Sequence, residues 1–409
     1  MSQTSYSSRS RRGESRSFSS YGGGRSNGGG NRRKSGKRQA AYIHPSRFVQ
    51  TAKPREEVIY TPKYVFNDFA VNALIHENLE NMGYTSPTAI QDQAIPHALE
   101  GKDVVGIANT GTGKTIAFGI PVLDKLMSDP EARAIIMAPT RELAQQIEDE
   151  LRVVAKRSGI FGAMLIGGTP MGPQLRDLRA NPQIVIGTPG RIKDHIERGS
   201  LRPEGFNIVV LDEVDRMLDM GFIDDMRDIL ERLADERQSL FFSATMEPKV
   251  AALIETFSGE TVTISVKTGE TSDNVEQDIM PYTSMSEKIE QLHTLLNRED
   301  VSKAIIFDET QRSVERLAEE LMDRGFKVDA IHGGKSQGQR QRALNKFKAS
   351  QISVMVATDV AARGIDVKDI SHVINYGQPQ SYEDYVHRIG RAGRAGRIGY
   401  AYTFVQARY

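Results

Sequence analysis

A lysine and a threonine set directly after a glycine-rich turn are suited to gripping phosphate, and residues 108–115 read Ala-Asn-Thr-Gly-Thr-Gly-Lys-Thr. In such a turn the backbone N–H groups of Thr110, Gly111, Thr112 and Gly113 face an anion. Lys114 reaches terminal phosphates and Thr115 offers a hydroxyl to magnesium. The strict pattern wants glycine where Ala108 stands, and an ordinary Gly-Thr turn is the other reading. Asp212-Glu213-Val214-Asp215 is a second chemical cluster. Asp212 can hold a magnesium ion, usually through water, and Glu213 can orient and deprotonate an attacking water. Acids also favour helix starts, so the catalytic reading rests on the company of Lys114 and Thr115. Ser243 and Thr245 offer hydroxyls to Asp215, although Thr245 is also a good helix cap. Near the C-terminus, His387, Arg391 and Arg394 punctuate a Gly-rich basic stretch. An arginine aimed at a transferring phosphoryl group is worth about 10³–10⁵ in turnover, and the first half of the chain shows none. A basic exposed helix face is the plainer alternative.

These residues need elements to hold them. Short apolar runs alternate with amphipathic stretches from Tyr64 onward, predicting strands over Val104–Ala108, Ile135–Ala138, Ala163–Ile166, Ile184–Gly187, Ile208–Leu211 and Leu240–Ser243. Helices are expected over Ile116–Met127 and Glu142–Ala155. After a polar interval the alternation resumes at Ala304–Phe307, Val328–Ile331, Val354–Ala357, Val373–Asn375 and Tyr400–Val405. Strand–helix alternation implies parallel sheets with helices on both faces, and ligands then sit at the carboxyl ends of the strands. The expected organisation is a tail over 1–45, an α/β domain over 64–265, a linker over 266–274 and a second α/β domain over 275–409. The last strand falls close to Tyr409, which leaves one face of the second sheet short of a closing helix.

The formal net charge of zero conceals an asymmetry. Residues 1–40 carry ten Lys and Arg against a single acid, Glu14, so the other 369 residues are net acidic. Ser, Gly and Arg dominate this tail, which cannot bury enough apolar surface to offset its ordering entropy; we expect disorder. Tyr6, Phe18 and Tyr21 among the arginines suit non-specific RNA binding, and a solubilising tail fits equally. The chain has no cysteine, which excludes disulfides and thiolate metal sites. No apolar run approaches the ~20 residues of a membrane span and no secretory signal is visible, so a cytoplasmic location is expected.

Taken in order, these motifs resemble those of the DEAD-box RNA helicases of superfamily 2, with Asp-Glu-Val-Asp replacing Asp-Glu-Ala-Asp, over about Tyr64 to Val405. That family carries alanine at the position of Ala108. The resemblance implies two tandem RecA-like domains, ATP and Mg²⁺ as cofactors, and RNA bound mainly through its sugar-phosphate backbone. Gly83 to Gln91 is similar to the adenine-reading Q motif, which implies that Gln91 pairs with the adenine edge and Phe66 covers its face. Thr140, Arg141, Gly167, Gly168, Thr188 and Arg191 match the RNA contacts of the first domain. Thr310, Gln337, Arg340 and Thr358 match those of the second. Gly364 and Asp366 resemble the ribose-holding piece, Arg391 and Arg394 the finger arginines, and His387 the residue linking ATP state to the domain interface. Val214, Gly334, Gly377 and Ala392 depart from the usual residues. The implied activity is RNA-stimulated ATP hydrolysis with local duplex unwinding; an ATP-gated RNA clamp is the alternative.

Overall fold

The computed structural model describes residues 43–52, 60–109, 111–266, 274–362, 367, 369–393 and 397–407. Among these residues thirteen strands form two sheets whose strand pairs are all parallel. The first contains β1 (Asp103–Ala108), β2 (Ala134–Met137), β3 (Gly162–Leu165), β4 (Ile184–Gly187), β5 (Ile208–Asp212), β6 (Gln238–Ser243) and β7 (Thr261–Val266). Their spatial order is β3-β4-β2-β5-β6-β1-β7. The second contains β8 (Val275–Tyr282), β9 (Ala304–Phe307), β10 (Val328–Ile331), β11 (Val354–Ala357), β12 (His372–Asn375) and β13 (Gly399–Gln406), in the order β10-β11-β9-β12-β13-β8. These are the two α/β units that the alternation predicts.

Consecutive strand residues point to opposite faces, so each central strand feeds two cores. Val104, Ile136, Val210, Leu240 and Phe242 pack into one face of the first sheet. Val105, Ile135, Val209, Leu211 and Phe241 pack into the other. Helices then cover both faces. Along Arg141–Val154 the buried positions Leu143, Ala144, Ile147, Leu151 and Val154 fall three or four apart, and Thr140 caps the start by accepting the Leu143 N–H. That spacing gives one apolar stripe.

Two strands lie outside the sequence expectation, and both are sheet edges. Among the described residues the strand partner of β7 is β1 and that of β8 is β13, with one further antiparallel bridge at Gln277. Edge strands carry polar residues and tolerate proline, which hides their pattern; β8 holds Glu276, Asp278 and Pro281. The linker expected over 266–274 begins inside β7 at Val266, and residues 267–273 lie outside the described residues, as do 1–42 of the tail expected over 1–45, whose last residues lead into a 3-10 turn at Pro45–Phe48.

The second sheet is not left short on its β8 side. Phe48, from a 3-10 turn at Pro45–Phe48, is 1% exposed and joins Val275, Tyr385 and Ala401 in the core. Its ring centroid lies 4.7 Å from that of Tyr385. A segment ahead of the first sheet therefore supplies a core side chain to the second. Sequence periodicity carries no trace of so distant a contact.

His372 on β12 is fully buried, stacked on Tyr400 at 4.9 Å between centroids. Burial pulls its pKa down to about 4, with Arg298 adding to the shift and Asp300 opposing it. The unfolded chain takes up this proton below about pH 6.5 while the folded chain does not until about 4. Stability is therefore lost as pH falls through that window, by roughly 2–3 kcal/mol at pH 4.5. Denaturant titrations of the wild type and His372→Phe at pH 7 and 4.5 should show the wild type losing that much more.

No helix among the described residues is long and apolar enough to cross a membrane.

Candidate functional site

Because each sheet is parallel, all the loops after its strands emerge along one edge. On the first sheet this edge gathers the turn after β1, the acids after β5 and Ser243 at the end of β6. The register aligns Ile107 with Ser243 and Asp212 with Phe242. Although β6 separates β5 from β1, Lys114 spans the gap. Its Nζ lies 4.0 Å from Asp212 Oδ1 and donates to Ala108 O at 3.1 Å. Thr115 follows, half-buried in the first turn of the helix Lys114–Ser128. Thr110 lies outside the described residues.

The turn is braced from behind. Gly113 has φ +89°, and a Cβ there would sit 2.3 Å from Gln91 Nε2; both facts demand glycine. The Gln91 amide donates to Gly113 O at 3.0 Å and accepts the Thr88 N–H at 2.9 Å, while Thr88 Oγ1 donates to Thr112 O at 2.7 Å. Gln91 thus grips the loop itself, leaving one N–H and one lone pair of its amide. Phe66 is buried, edge-on to Tyr84 at 5.9 Å and to Phe69 at 6.1 Å. Asp92, next to Gln91, collects three donors: Tyr60 OH at 2.5 Å, Lys63 N–H at 3.0 Å and Tyr64 N–H at 2.8 Å.

Three carboxylates crowd the end of β5. Burial pushes Asp212 up to about 6; Lys114 opposes the shift, and Glu213 and Asp215 reinforce it. A divalent cation beside Asp212 would relieve that cost, and a carboxylate with a Thr hydroxyl is the hard oxygen set that magnesium favours. Glu213 adopts φ +54°, and its N–H donates to Asp212 Oδ1 at 2.9 Å. Left-handed backbone is uncommon outside glycine and collects at functional sites. Asp215 Oδ2 accepts the Thr245 N–H at 3.0 Å and the Thr245 hydroxyl at 3.2 Å, while the Asp215 N–H faces Ser243 Oγ at 3.4 Å. Thr245 thus gives its hydroxyl to the Asp215 carboxylate, whereas Ser243 meets the Asp215 main chain.

Arg141, Gly167 and Gly168 also come together. A Cβ on Gly168, whose φ is +73°, would overlap the Arg141 guanidinium. Burial lowers the Arg141 pKa, helped by the nearby cations Arg340 and Arg191. Thr188 starts the helix Pro189–Glu197 that carries Arg191. Beneath this loop, Gln174 Nε2 donates to Thr169 Oγ1 at 2.8 Å and its oxygen meets buried His195 at 3.2 Å. Sequence reasoning passed over that support because neither residue belongs to a motif.

On the second sheet, Thr310 follows β9 and caps the helix Gln311–Asp323, and Thr358 follows β11. Gln337 opens the helix Gln337–Lys348, with both amide polar atoms buried and unpaired among the described residues. A cavity of about 730 Å³ lies at this edge, bordered by Lys288, Asp308, Thr310, Tyr376 and Gly377. A Cβ on Gly377 would fall 2.6 Å from Asp308 Oδ1 and 2.9 Å from the Glu309 backbone nitrogen.

Arg340 reaches across to the first sheet's unit. Its Nη2 lies 2.8 Å from Oε2 of Glu142, which is 1% exposed and belongs to the first sheet's unit. Neither the position nor the type of Glu142 marks it as the partner of a residue 198 positions away. Glu383, on the helix Tyr382–Ile389, comes near Glu247 after β6; burial first and then Asp219 and Glu383 raise the Glu247 pKa. The same helix carries His387, and Arg391 follows it, 6% exposed. His387 and Arg391 line a small cavity with Phe307, Asp359 and Asp384. Gly364, Asp366 and Arg394 lie outside the described residues.

Comparison with known proteins identifies the family. Residues 88–254 match the DEAD/DEAH box helicase family and residues 287–396 the helicase conserved C-terminal domain. The chain is 45% identical over 345 residues to the DEAD-box ATP-dependent RNA helicase CshA of Bacillus subtilis (strain 168), covering 84% of this chain and 70% of that one. It is 40% identical to a DEAD box protein of known structure from Methanococcus jannaschii, with TM-score 0.50 and coverage of 84% and 93%. To S. cerevisiae Dbp5 bound to RNA and ADP BeF3 it is 29% identical, with TM-score 0.73 and coverage of 84% and 90%. The chain belongs to the DEAD-box family of ATP-dependent RNA helicases.

Proposed function

We propose that this chain couples ATP hydrolysis to RNA binding and pries short duplexes or RNA–protein contacts apart locally. The carrying observation is that Lys114 and Asp212 meet at 4.0 Å on the strand edge that also bears Glu213 and the glycine turn. Residues 64–265 act as the nucleotide-handling half and 275–409 as the closing half, joined through 266–274. Mg²⁺, when bound, would neutralise developing phosphate charge beside Asp212 and Thr115. Glu213 takes the proton of the attacking water, Asp215 with Ser243 and Thr245 couples the acids to β6, and Arg391 and Arg394 supply positive charge from the closing half. His387 reports nucleotide state across the seam. Gln91 and Phe66 read adenine, and Gly364 with Asp366 holds the ribose. The RNA path runs along Thr140, Arg141, Gly167, Gly168, Thr188 and Arg191, then Thr310, Gln337, Arg340 and Thr358. The unpaired Gln337 amide supports that path, because a buried polar group without a partner costs about 1–3 kcal/mol unless a ligand satisfies it. The basic tail adds non-specific RNA contacts, and the enzyme works in the cytoplasm.

A clamp that holds RNA without displacing a strand is favoured by one observation: the buried Glu142–Arg340 pair fastens the halves together. ATPase rates with single-stranded RNA and DNA, beside strand-displacement and ATP-dependent retention assays, test the reading. Stimulation by RNA over DNA, with displacement of short duplexes, is the expected result. Long retention without displacement selects the clamp, and equal stimulation by DNA removes RNA selectivity, which depends on the 2′-OH.

A further inference from the structure

Residues 43–52 precede the first sheet in the chain and yet are built into the second. Beyond the burial of Phe48, Gln50 forms an antiparallel bridge to Gln277 on the free edge of β8. Gln50 N–H donates to Gln277 O at 3.0 Å, and Gln277 N–H donates to Gln50 O at 2.8 Å. The Ala52 N–H donates to Glu276 Oε2 at 2.6 Å, and the Arg47 guanidinium lies 3.7 Å from the centre of the Tyr382 ring. Tyr385 OH donates to Gln277 Oε1 at 2.9 Å, tying the bridge to the helix that carries His387. Eight residues further on, Tyr60 is fastened to Asp92, the neighbour of Gln91. One strap is therefore anchored at both ends, on the second sheet's edge and on the helix that braces the phosphate loop.

We propose that this strap is a second tether between the two halves, parallel in function to the linker. From Ala52 to Tyr60 the chain makes eight steps, as it does from Val266 to Asn274. Each connection reaches at most about 26–29 Å when fully extended. One tether lets two bodies tumble about a point, whereas two tethers attached at different places confine them to a hinge. The closing half then stays at high effective concentration near the nucleotide-handling half. Separation beyond the strap's reach needs either Phe48 to leave the second core or Tyr60 to leave Asp92. The strap's near anchor, Asp92, adjoins Gln91, so opening pulls on the same end of the site that is proposed to read adenine.

The deciding experiment uses the full chain, which has no cysteine, so Glu197→Cys and Met322→Cys can be labelled for single-molecule distance measurement. Both side chains are exposed and outside the site. A twenty-residue Gly-Ser insertion between Glu56 and Glu57 lengthens the tether without touching either anchor. Amide exchange at Gln277, slowed by its bond to Gln50, reports whether the strap remains docked. With docking retained, the insertion should widen the ligand-free distance distribution. It should also raise the KM for RNA in the ATPase assay by about two- to tenfold, with kcat unchanged. Phe48→Ala should do the same and should also speed exchange at Gln277. If the insertion, with Gln277 still protected, leaves the distances and the KM unchanged, the tether is overturned. The KM readout rests on the proposed RNA-stimulated activity and the distance readout does not, so loss of that activity in the wild type would leave the tether test standing.

Discussion

Glu213→Gln is expected to bind ATP and RNA and to lose at least 10²-fold in RNA-stimulated turnover, roughly the scale of a removed general base. The substitution keeps the shape of the side chain and the unusual backbone of residue 213, whose N–H to Asp212 is a main-chain donor and survives. What goes is the proposed proton acceptor. Lys114→Ala removes phosphate grip as well, so it should fall in both binding and turnover. Phosphate release measured beside fluorescent-nucleotide binding separates the two variants. Full turnover in Glu213→Gln would move the base elsewhere, with Asp212 the next carboxylate to test; its pKa of about 6 reflects burial and crowding by Glu213 and Asp215.

Arg391→Ala should lower kcat by about 10³-fold or more, with nucleotide affinity little changed, if the closing half supplies positive charge to the phosphoryl group. Arg391→Lys should not rescue it, because a point charge cannot reproduce a planar two-pronged donor. The neighbouring Arg388 is a structural contrast. It is buried, bonded to Asp359 at 2.7 Å, to Asn375 at 3.1 Å and to the Gly377 carbonyl at 2.7 Å, so its loss should unfold the second half rather than slow chemistry alone. Thermal unfolding run alongside turnover tells these apart. An Arg391→Ala enzyme with wild-type kcat would mean that hydrolysis does not draw on the seam.

The central strands were legible because both their faces are buried, which forces unbroken apolar runs. Ile184–Gly187, Ala304–Phe307 and Val354–Ala357 lie at the bounds the pattern predicts. β7 and β8 were not legible because their apolar residues are diluted by polar ones, Thr261, Thr263 and Ser265 in β7 and Glu276, Gln277 and Asp278 in β8. The phosphate turn and the acids after β5 could be placed on one edge from chain order alone, because parallel strands end together. Contacts set by tertiary approach could not. Gln91 on Gly113, Arg340 on Glu142 and Phe48 on Tyr385 join residues whose types permit many partners. Only the folded chain selects among them.

The tight corner at Gly377 constrains how this protein can change. The space a side chain would need there is already taken by the carboxylate of Asp308 and by the side chain and main chain of Glu309. An acid placed at 377 would set two negative groups against each other in a place too small for both. Because the Glu309 main chain closes in as well, no change at position 308 alone makes room, and any side chain at 377 requires the turn after β9 to shift.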